Sequence, residues 1–401
     1  MSRTTRHAWG RVGDLAGLCL AVMLAAACQQ EQVVEPGGSL RSPLSYFTVE
    51  LVNASHDADN LPAYNEETTV TLAVTAMGDD GQKAEAYSGQ VRVKTTTGTI
   101  RTKPQGMVLN ADKHSGVMTM TGGSLPELTL GIKWGLGQGR IVVEETITGV
   151  ADHYRDGVGA APSTVRGVAV GASPVLTFAP ANIINMQRIM AETYDLEVDE
   201  TALNGQPVII STGKLVVTGC TADGFFATDV SQPDLAWSHV YVYTWSSPFA
   251  DVGSVLRYFS GMVSDFYGFT EISSFPDWDV VALKEAWVPE PHLLTATDFA
   301  SAATLVEPWE AALVKVENVC VSAMTQDQLE SYQTYGQWPA GFACGKSDFV
   351  VVSSDAAPAF DPRTMSGQAI NFMIGNLKQH FSAGYILVLR TENDLGLLNA
   401  R

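Results

Sequence analysis

Beyond the first 27 residues the chain holds six histidines: His56, His114, His153, His239, His292 and His380. No two of them stand three or four positions apart, the spacing that sets two imidazoles on one metal. There is no G-x-S-x-G turn, no H-E-x-x-H helix and no glycine loop for a phosphate. Acids are abundant, so carboxylate pairs of glycosidase type cannot be recognised by spacing alone. The chemistry these residues offer is binding, and no catalysis is expected. Ser55-His56-Asp57-Ala58-Asp59-Asn60 is a short acidic loop. Asp57, Asp59 and Asn60 supply the oxygens that suit Ca²⁺, against the simpler reading of a solvated turn. No other cofactor is expected. Along 239–245 the odd positions are His239, Tyr241, Tyr243 and Trp245. Strand alternation puts them on one face, with Val240 and Val242 on the other. Phe226 and Tyr258 join from neighbouring strands. Tyr241, Tyr243, Trp245, Phe226 and Tyr258 would form a platform on which bases or sugar rings stack. The competing reading is that these rings fill a core or pack on an adjacent domain.

Charge narrows the ligand. The 401 residues carry 24 Lys and Arg against 43 Asp and Glu, a formal charge of −19. Between positions 205 and 284 the cations are Lys214, Arg257 and Lys284. They face eight acids: Asp223, Asp229, Asp234, Asp251, Asp265, Glu271, Asp277 and Asp279. A nucleic-acid groove needs a basic track for the phosphates. A neutral polymer, a protein partner or a cation-bridged ligand suits this surface better. No small-molecule substrate is evident.

The N-terminus reads as an address. Arg3, Arg6 and Arg11 precede an apolar run of 13 residues, 15–27, that ends in Ala25-Ala26-Ala27-Cys28. Such a run is too short to span a bilayer, and its flanks are those of a secretory signal. Small residues directly before a cysteine resemble the lipobox of bacterial lipoproteins, with Ala25 where the usual leucine stands. The resemblance implies cleavage after Ala27 and lipidation of Cys28. Gln29 in the next place implies the outer membrane or cell surface. Residues 28–43 are polar, with Gly37, Gly38 and two prolines, and read as a flexible tether.

The remainder is expected to be all-β. Residues 44–171 contain short alternating segments separated by Gly, Asp and Asn turns. Among them are 46–52, 67–75, 90–93, 116–120, 128–132 and 139–145, with a last strand at 164–170. This spacing predicts a β-sandwich. Asp79-Asp80-Gly81 followed by Tyr87-Ser88-Gly89-Gln90-Val91-Arg92-Val93 resembles the D-x-G … Y-x-G-x-V pattern of bacterial immunoglobulin-like domains. A connector, 172–205, holds one amphipathic stretch: Ile183, Ile184, Met186, Ile189 and Met190. Its acidic run, Glu197, Asp199 and Glu200, reads as a solvated face.

From residue 206 to 285 five strands are expected, the fourth long and broken at Gly261, as in a small closed barrel. G-F-F-A-T-D at 224–229, V-Y-V-Y-T at 240–244, D-V-G-S-V-L at 251–256 and G-M-V-S-D-F-Y-G-F-T at 261–270 resemble the OB-fold modules of bacterial extracellular deoxyribonucleases. Residues 286–401 read as a second, divergent copy. E-P-W-E at 307–310 and L-V-K-V-E-N-V at 313–319 resemble the start of the second module in those enzymes. Residues 348–355 then answer 224–229, 367–375 answer 253–261, and 385–395 resemble the module's close, with Leu389 in place of proline. The catalytic domain of those enzymes is not matched by any segment. Cys320 and Cys344 flank one loop of this copy, and an exported setting permits their disulfide. Closing 24 positions would contribute roughly 3 kcal/mol. Cys220 would be buried, or paired with one of these two instead.

The expectation is therefore an immunoglobulin-like β-sandwich followed by two OB-like β-barrels. They would be carried on a lipid at the bacterial envelope as a non-catalytic binding or scaffolding module. Two alternatives stand beside it. One is an accessory binder of extracellular nucleic acid working with a separate nuclease. The other is a surface adhesin or glycan binder.

Overall fold

The computed structural model describes residues 44–146, 169–194, 201–300, 306–353, 356–380 and 384–397. The signal, the Cys28 lipidation site, the tether, most of the 148–170 segment and the acidic run at 197–200 lie outside the described residues. About half of the chain is strand, and the fold is all-β.

The first unit is a sandwich of a four-stranded and a five-stranded sheet. One sheet runs in the order Leu44–Ala54, Glu67–Gly78, Ser124–Lys133, Thr99–Thr102. The other runs Val170–Ala172, Ile141–Glu145, Gly89–Thr95, Ser115–Met120, Val108–Leu109. Alternation fixes the inner face. In Glu67–Gly78 the buried side chains are Thr68, Val70, Leu72, Val74 and Ala76, every second residue. They meet Val91, Val93, Ile132, Ile141 and Val143 in one core.

The connector first pairs Leu176–Thr177 with Gln138–Gly139. It then forms the helix α1, Ile183–Thr193. Its N-cap is Asn182, whose side chain accepts the Asn185 N–H. Ile183, Met186, Ile189 and Met190 face the core of the first barrel. Gln206 joins the sandwich to that barrel. Its amide accepts the Gly98 N–H at 2.6 Å and donates to the Gly98 carbonyl at 3.0 Å.

The first barrel closes in the OB order. Leu215–Thr221 pairs with Gly224–Asp229, which pairs with His239–Tyr243. That strand runs parallel to the start of Phe269–Leu283, through Tyr241↔Glu271 and Val242↔Ile272. Ser254–Phe266 pairs with Phe269–Leu283 and returns to Leu215–Thr221. The long strand shifts register between Ser260 and Met262, around Gly261. A Cβ on Gly261 would stand 2.6 Å from Ile272 Cγ2, so a glycine is needed there. The last strand runs well past Ile272, and its far half forms a two-stranded ribbon with the fourth.

The second barrel repeats this order with Leu313–Val321, Gln337–Gly341, Phe349–Val352, Ala369–His380 and Gly384–Leu389. Here the sequence correspondence is corrected. Phe349–Val352 pairs in parallel with the fifth strand, so 348–355 answers 239–243 and not 224–229. The second strand is Gln337–Gly341, which Pro339 makes look like a loop in sequence. It follows the helix Gln326–Tyr335. That helix starts in a capping box of Thr325 and Gln328 and ends at Gly336 with φ 67°. Trp338 anchors the strand, fully buried and donating through Nε1 to Ser353 Oγ at 2.9 Å.

Candidate binding surface

The aromatic row of the third strand divides by alternation as expected. Val240 and Val242 enter the barrel core, and His239 and Tyr241 point outward. What covers the outward face is the second barrel. Phe226, Tyr241, Phe269 and Ala311 form a cluster of their own, with Tyr243 and Val388 packed against it. Phe226 and Tyr241 are each 1% exposed. They are therefore not part of an open platform, and that expectation is corrected: rings on this face bury against the neighbouring barrel.

Polar contacts seal the same seam. Tyr241 Oη donates to Asp223 Oδ1 at 2.8 Å, beside Thr221 Oγ1. Burial holds the Tyr241 phenol far above its usual pKa. Lys378 of the second barrel stands over the Tyr241 and Phe269 rings, 4.7 and 5.1 Å from their centres. Burial lowers its pKa, an effect that Glu271 and Asp223 oppose. Asn376 Nδ2 donates to Thr218 Oγ1 at 3.1 Å, and Arg390 Nη1 donates to the Thr218 carbonyl at 3.3 Å. Arg390 is held in turn by both oxygens of Asp394.

A second part of the seam is acidic. Glu310 Oε1 accepts the Thr270 N–H at 3.1 Å and the Gln187 amide at 3.4 Å, while Oε2 has no hydrogen-bond partner. Burial raises the Glu310 carboxyl well above the usual range, and Glu307 raises it further. Burial also raises Glu307, helped by Asp265. His239 donates or accepts through Nδ1 with Thr228 Oγ1 at 2.9 Å, its Nε2 lacks a partner, and burial lowers its pKa to about 3. His292 stacks flat on Trp309, ring centres 3.4 Å apart. Glu310 and His239 are buried between α1 and the first barrel, while Glu307, His292 and Trp309 are half-buried.

What stays open is the rim beyond the third strand. The strand ends at Tyr243, which is half-buried, and Trp245 leaves it at φ 62° with 69% of its surface exposed. The two rings meet with centres 4.8 Å apart. On the parallel neighbour, Phe275 has the same φ of 62° and is 93% exposed. Trp245 and Phe275 each stand three residues past the Val242↔Ile272 pair, so adjacent strands deliver them to the same end of the barrel. Phe249, 95% exposed, lies in the loop that follows Trp245. Phe249 and Phe275 carry no alternation signal, because both fall where the strand pattern breaks. Tyr258 is elsewhere, on the ribbon, where its hydroxyl donates to Asp277 Oδ2 at 2.6 Å.

The remaining candidates are quickly placed. Asp57 Oδ1 accepts the backbone N–H groups of Asp59 and Asn60, both at 3.0 Å. The loop is a self-bonded turn. Among the described residues no three His, Cys, Asp or Glu side chains gather in a way that could hold a metal. Cys320 and Cys344 form a disulfide, Cα atoms 5.0 Å apart. Cys220 is a free thiol that donates to the Ala250 carbonyl at 3.2 Å, and burial pushes its pKa up to about 11.

No protein-family model and no curated protein sequence matches the chain.

Proposed function

We propose that the chain is a non-catalytic binding protein of the bacterial envelope. Lipid at Cys28 anchors it, and it takes a neutral glycan on the aromatic rim of its first barrel. The observation that carries this reading is the Trp245–Phe275 pair. A bulky residue at positive φ is costly, about 1–2 kcal/mol each, and such strain concentrates where function requires it. Here two rings are held that way and both are turned to solvent, Trp245 with one edge against Tyr243 and Phe275 almost wholly exposed.

Charge selects the ligand class. Between residues 239 and 283 the one cation is Arg257, and it is paired with Asp279 at 3.1 Å. Five acids occupy the same stretch. A polyanion would be repelled, whereas sugar rings stack on aromatic faces and their hydroxyls donate to carboxylates. OB folds bind oligosaccharides through such surfaces. The anchor rests on the basic start, the short apolar run and Ala25-Ala26-Ala27-Cys28. Among the described residues no helix is long and apolar enough to cross a membrane.

Affinity electrophoresis tests the reading. The chain from Gln29 onward should be retarded in gels containing a soluble β-glucan, xylan or mannan, and Trp245→Ala and Phe275→Ala should migrate freely. Free migration of the unaltered protein through every neutral polysaccharide would overturn it.

A further inference from the structure

The exposed rim is one end of a longer row of rings. Ring centres are 4.8 Å apart from Trp245 to Tyr243 and 6.4 Å from Tyr243 to Tyr241. Tyr241 in turn meets Phe226 at 4.7 Å and Phe269 at 5.9 Å. Exposure falls along the row, from 69% at Trp245 through the half-buried Tyr243 to 1% or less at Tyr241, Phe226 and Phe269. Ala311, Lys378 and Val388, all from the second barrel's part of the chain, cover the inner rings.

That cover is held by a polar and incompletely satisfied seam. Thr218 receives Asn376 and Arg390, and Lys378 lies over two rings. The amide heads of Asn376 and Gln379 lie against Gly219 and Gly268 of the first barrel. Among the described residues Asn376 Oδ1, Gln379 Oε1 and Glu310 Oε2 are buried without a hydrogen-bond partner. Each unmet group weakens the closed state. Domains joined by a seam that is not broadly apolar move relative to one another.

The joint is also proton-linked. Glu310 stands where the chain enters the second barrel, held by Thr270 of the first barrel and Gln187 of α1. The titratable groups around it are Glu307 on its own turn, Asp265 beside Glu307, Tyr385 of the second barrel, and His239 and His292, both against Trp309. Neither Glu307 nor Glu310 has an ion-pair partner among the described residues. Burial favours the neutral form of both, so the closed seam keeps protons that an open one would release.

We propose that the second barrel is a removable cap: closed, it leaves a ligand only the Trp245 end of the row, and open, it uncovers Tyr241, Phe226 and Phe269 as further stacking positions. This rests on the glycan reading of the rim. The cap should open more readily as pH rises and the two glutamates ionise.

Thiol labelling reads the cap without any sugar. In the mature chain carrying Cys220→Ser, the thiol introduced by Val388→Cys lies in the seam and should react slowly with a maleimide dye at one mildly alkaline pH. Lys378→Glu sets a third carboxylate against Glu271 and Asp223 and should speed the reaction at least about tenfold. Asn376→Ala removes the bond to Thr218 and is a milder opening variant, which should speed it less. Glu310→Gln, which stays neutral, should slow it. Melting temperatures check that each variant is folded. Titration with hexasaccharide and disaccharide fragments of the polysaccharide that retards the unaltered chain then reads the site. The opening variants should bind the hexasaccharide at least about fivefold more tightly than the unaltered chain does, and the disaccharide equally. One labelling rate in all folded variants would overturn the proposal and leave the rim reading standing. So would faster labelling with no gain for the hexasaccharide. If no form of the protein binds any polysaccharide, the glycan reading fails, and the labelling rates alone then support or overturn the cap.

Discussion

Lys378 of the second barrel holds its ammonium 4.7 Å from the ring centre of Tyr241 in the first. An acidic barrel with an aromatic face thus receives a cation from its own chain. The same lysine faces Glu271 and Asp223. Together these contacts make the two barrels one surface.

Replacing Lys378 by Met removes the cation–π contact and leaves the two carboxylates without their counter-charge. The expected cost is about 1–2 kcal/mol near neutral pH. Burial raises the Glu271 carboxyl above its usual range, so the cost should shrink at about pH 4, where Glu271 is protonated. Urea unfolding at the two pH values measures this. Equal costs would assign the whole effect to the ring contact.

Gly219 lies where Asn376 crosses the seam. A Cβ there would stand 2.0 Å from Asn376 Oδ1. Gly219→Ala must therefore displace the amide and break its bonds to Thr218 Oγ1 and the Ala311 carbonyl. The expected loss is about 1–3 kcal/mol. In an Asn376→Ala background the same change should cost much less, because the clash has gone. A double-mutant cycle measures the coupling, and additive losses would contradict the seam geometry.

The buried carboxyls give the seam a pH response. Glu310 and Glu307 are both raised above the ordinary value of 4.5. Below that value their contribution to stability is complete. As pH rises toward the folded values the unfolded state releases protons that the folded state keeps, so stability falls. His239 acts in the opposite direction. Its folded pKa of about 3 is below the ordinary 6.5, so its contribution is full above 6.5 and is lost as pH falls toward 3. Glu310→Gln removes one proton-linked cost without adding a charge. Its melting temperature relative to the unaltered protein should therefore rise as pH is raised above the ordinary carboxyl value of 4.5. Parallel curves would show that Glu310 is ionised in the folded state.

The strain at the rim predicts a trade-off. Phe275→Gly should leave stability unchanged or raise it by up to about 1 kcal/mol, since relief of positive φ outweighs the added freedom of the unfolded chain. Calorimetry measures this. A clear loss of stability would mean that Phe275 packs on something after all.

Much of this architecture was legible because it follows period two. The alternation in 67–75 identifies the inner face of a sandwich sheet, and the break at Gly261 marks the bulge of the long strand. The apolar set Ile183, Met186, Ile189 and Met190 identifies α1. Alternation also puts Tyr241 on the face opposite Val240, but it says nothing about what lies against that face. The partner surface, Ala311, Lys378 and Val388, comes from 70 to 147 residues later in the chain. Trp245 was legible as an aromatic in the row, yet it projects because the strand ends at Tyr243 and the backbone turns left-handed. Phe275 was not legible, since its exposure arises from a backbone irregularity at Ser274 and Phe275. Phe349–Val352 was read one strand early because Pro339 hides the strand before it.

The central claim is that the rim at Trp245 and Phe275 binds a neutral glycan. The most direct test titrates the chain from Gln29 onward with a neutral oligosaccharide and with a single-stranded oligonucleotide, each at low and moderate salt. The account predicts oligosaccharide binding that is insensitive to salt and is lost in Trp245→Ala and Phe275→Gly. Oligonucleotide binding that weakens steeply with salt, with no binding of the sugar, would contradict it and assign the rim to nucleic acid.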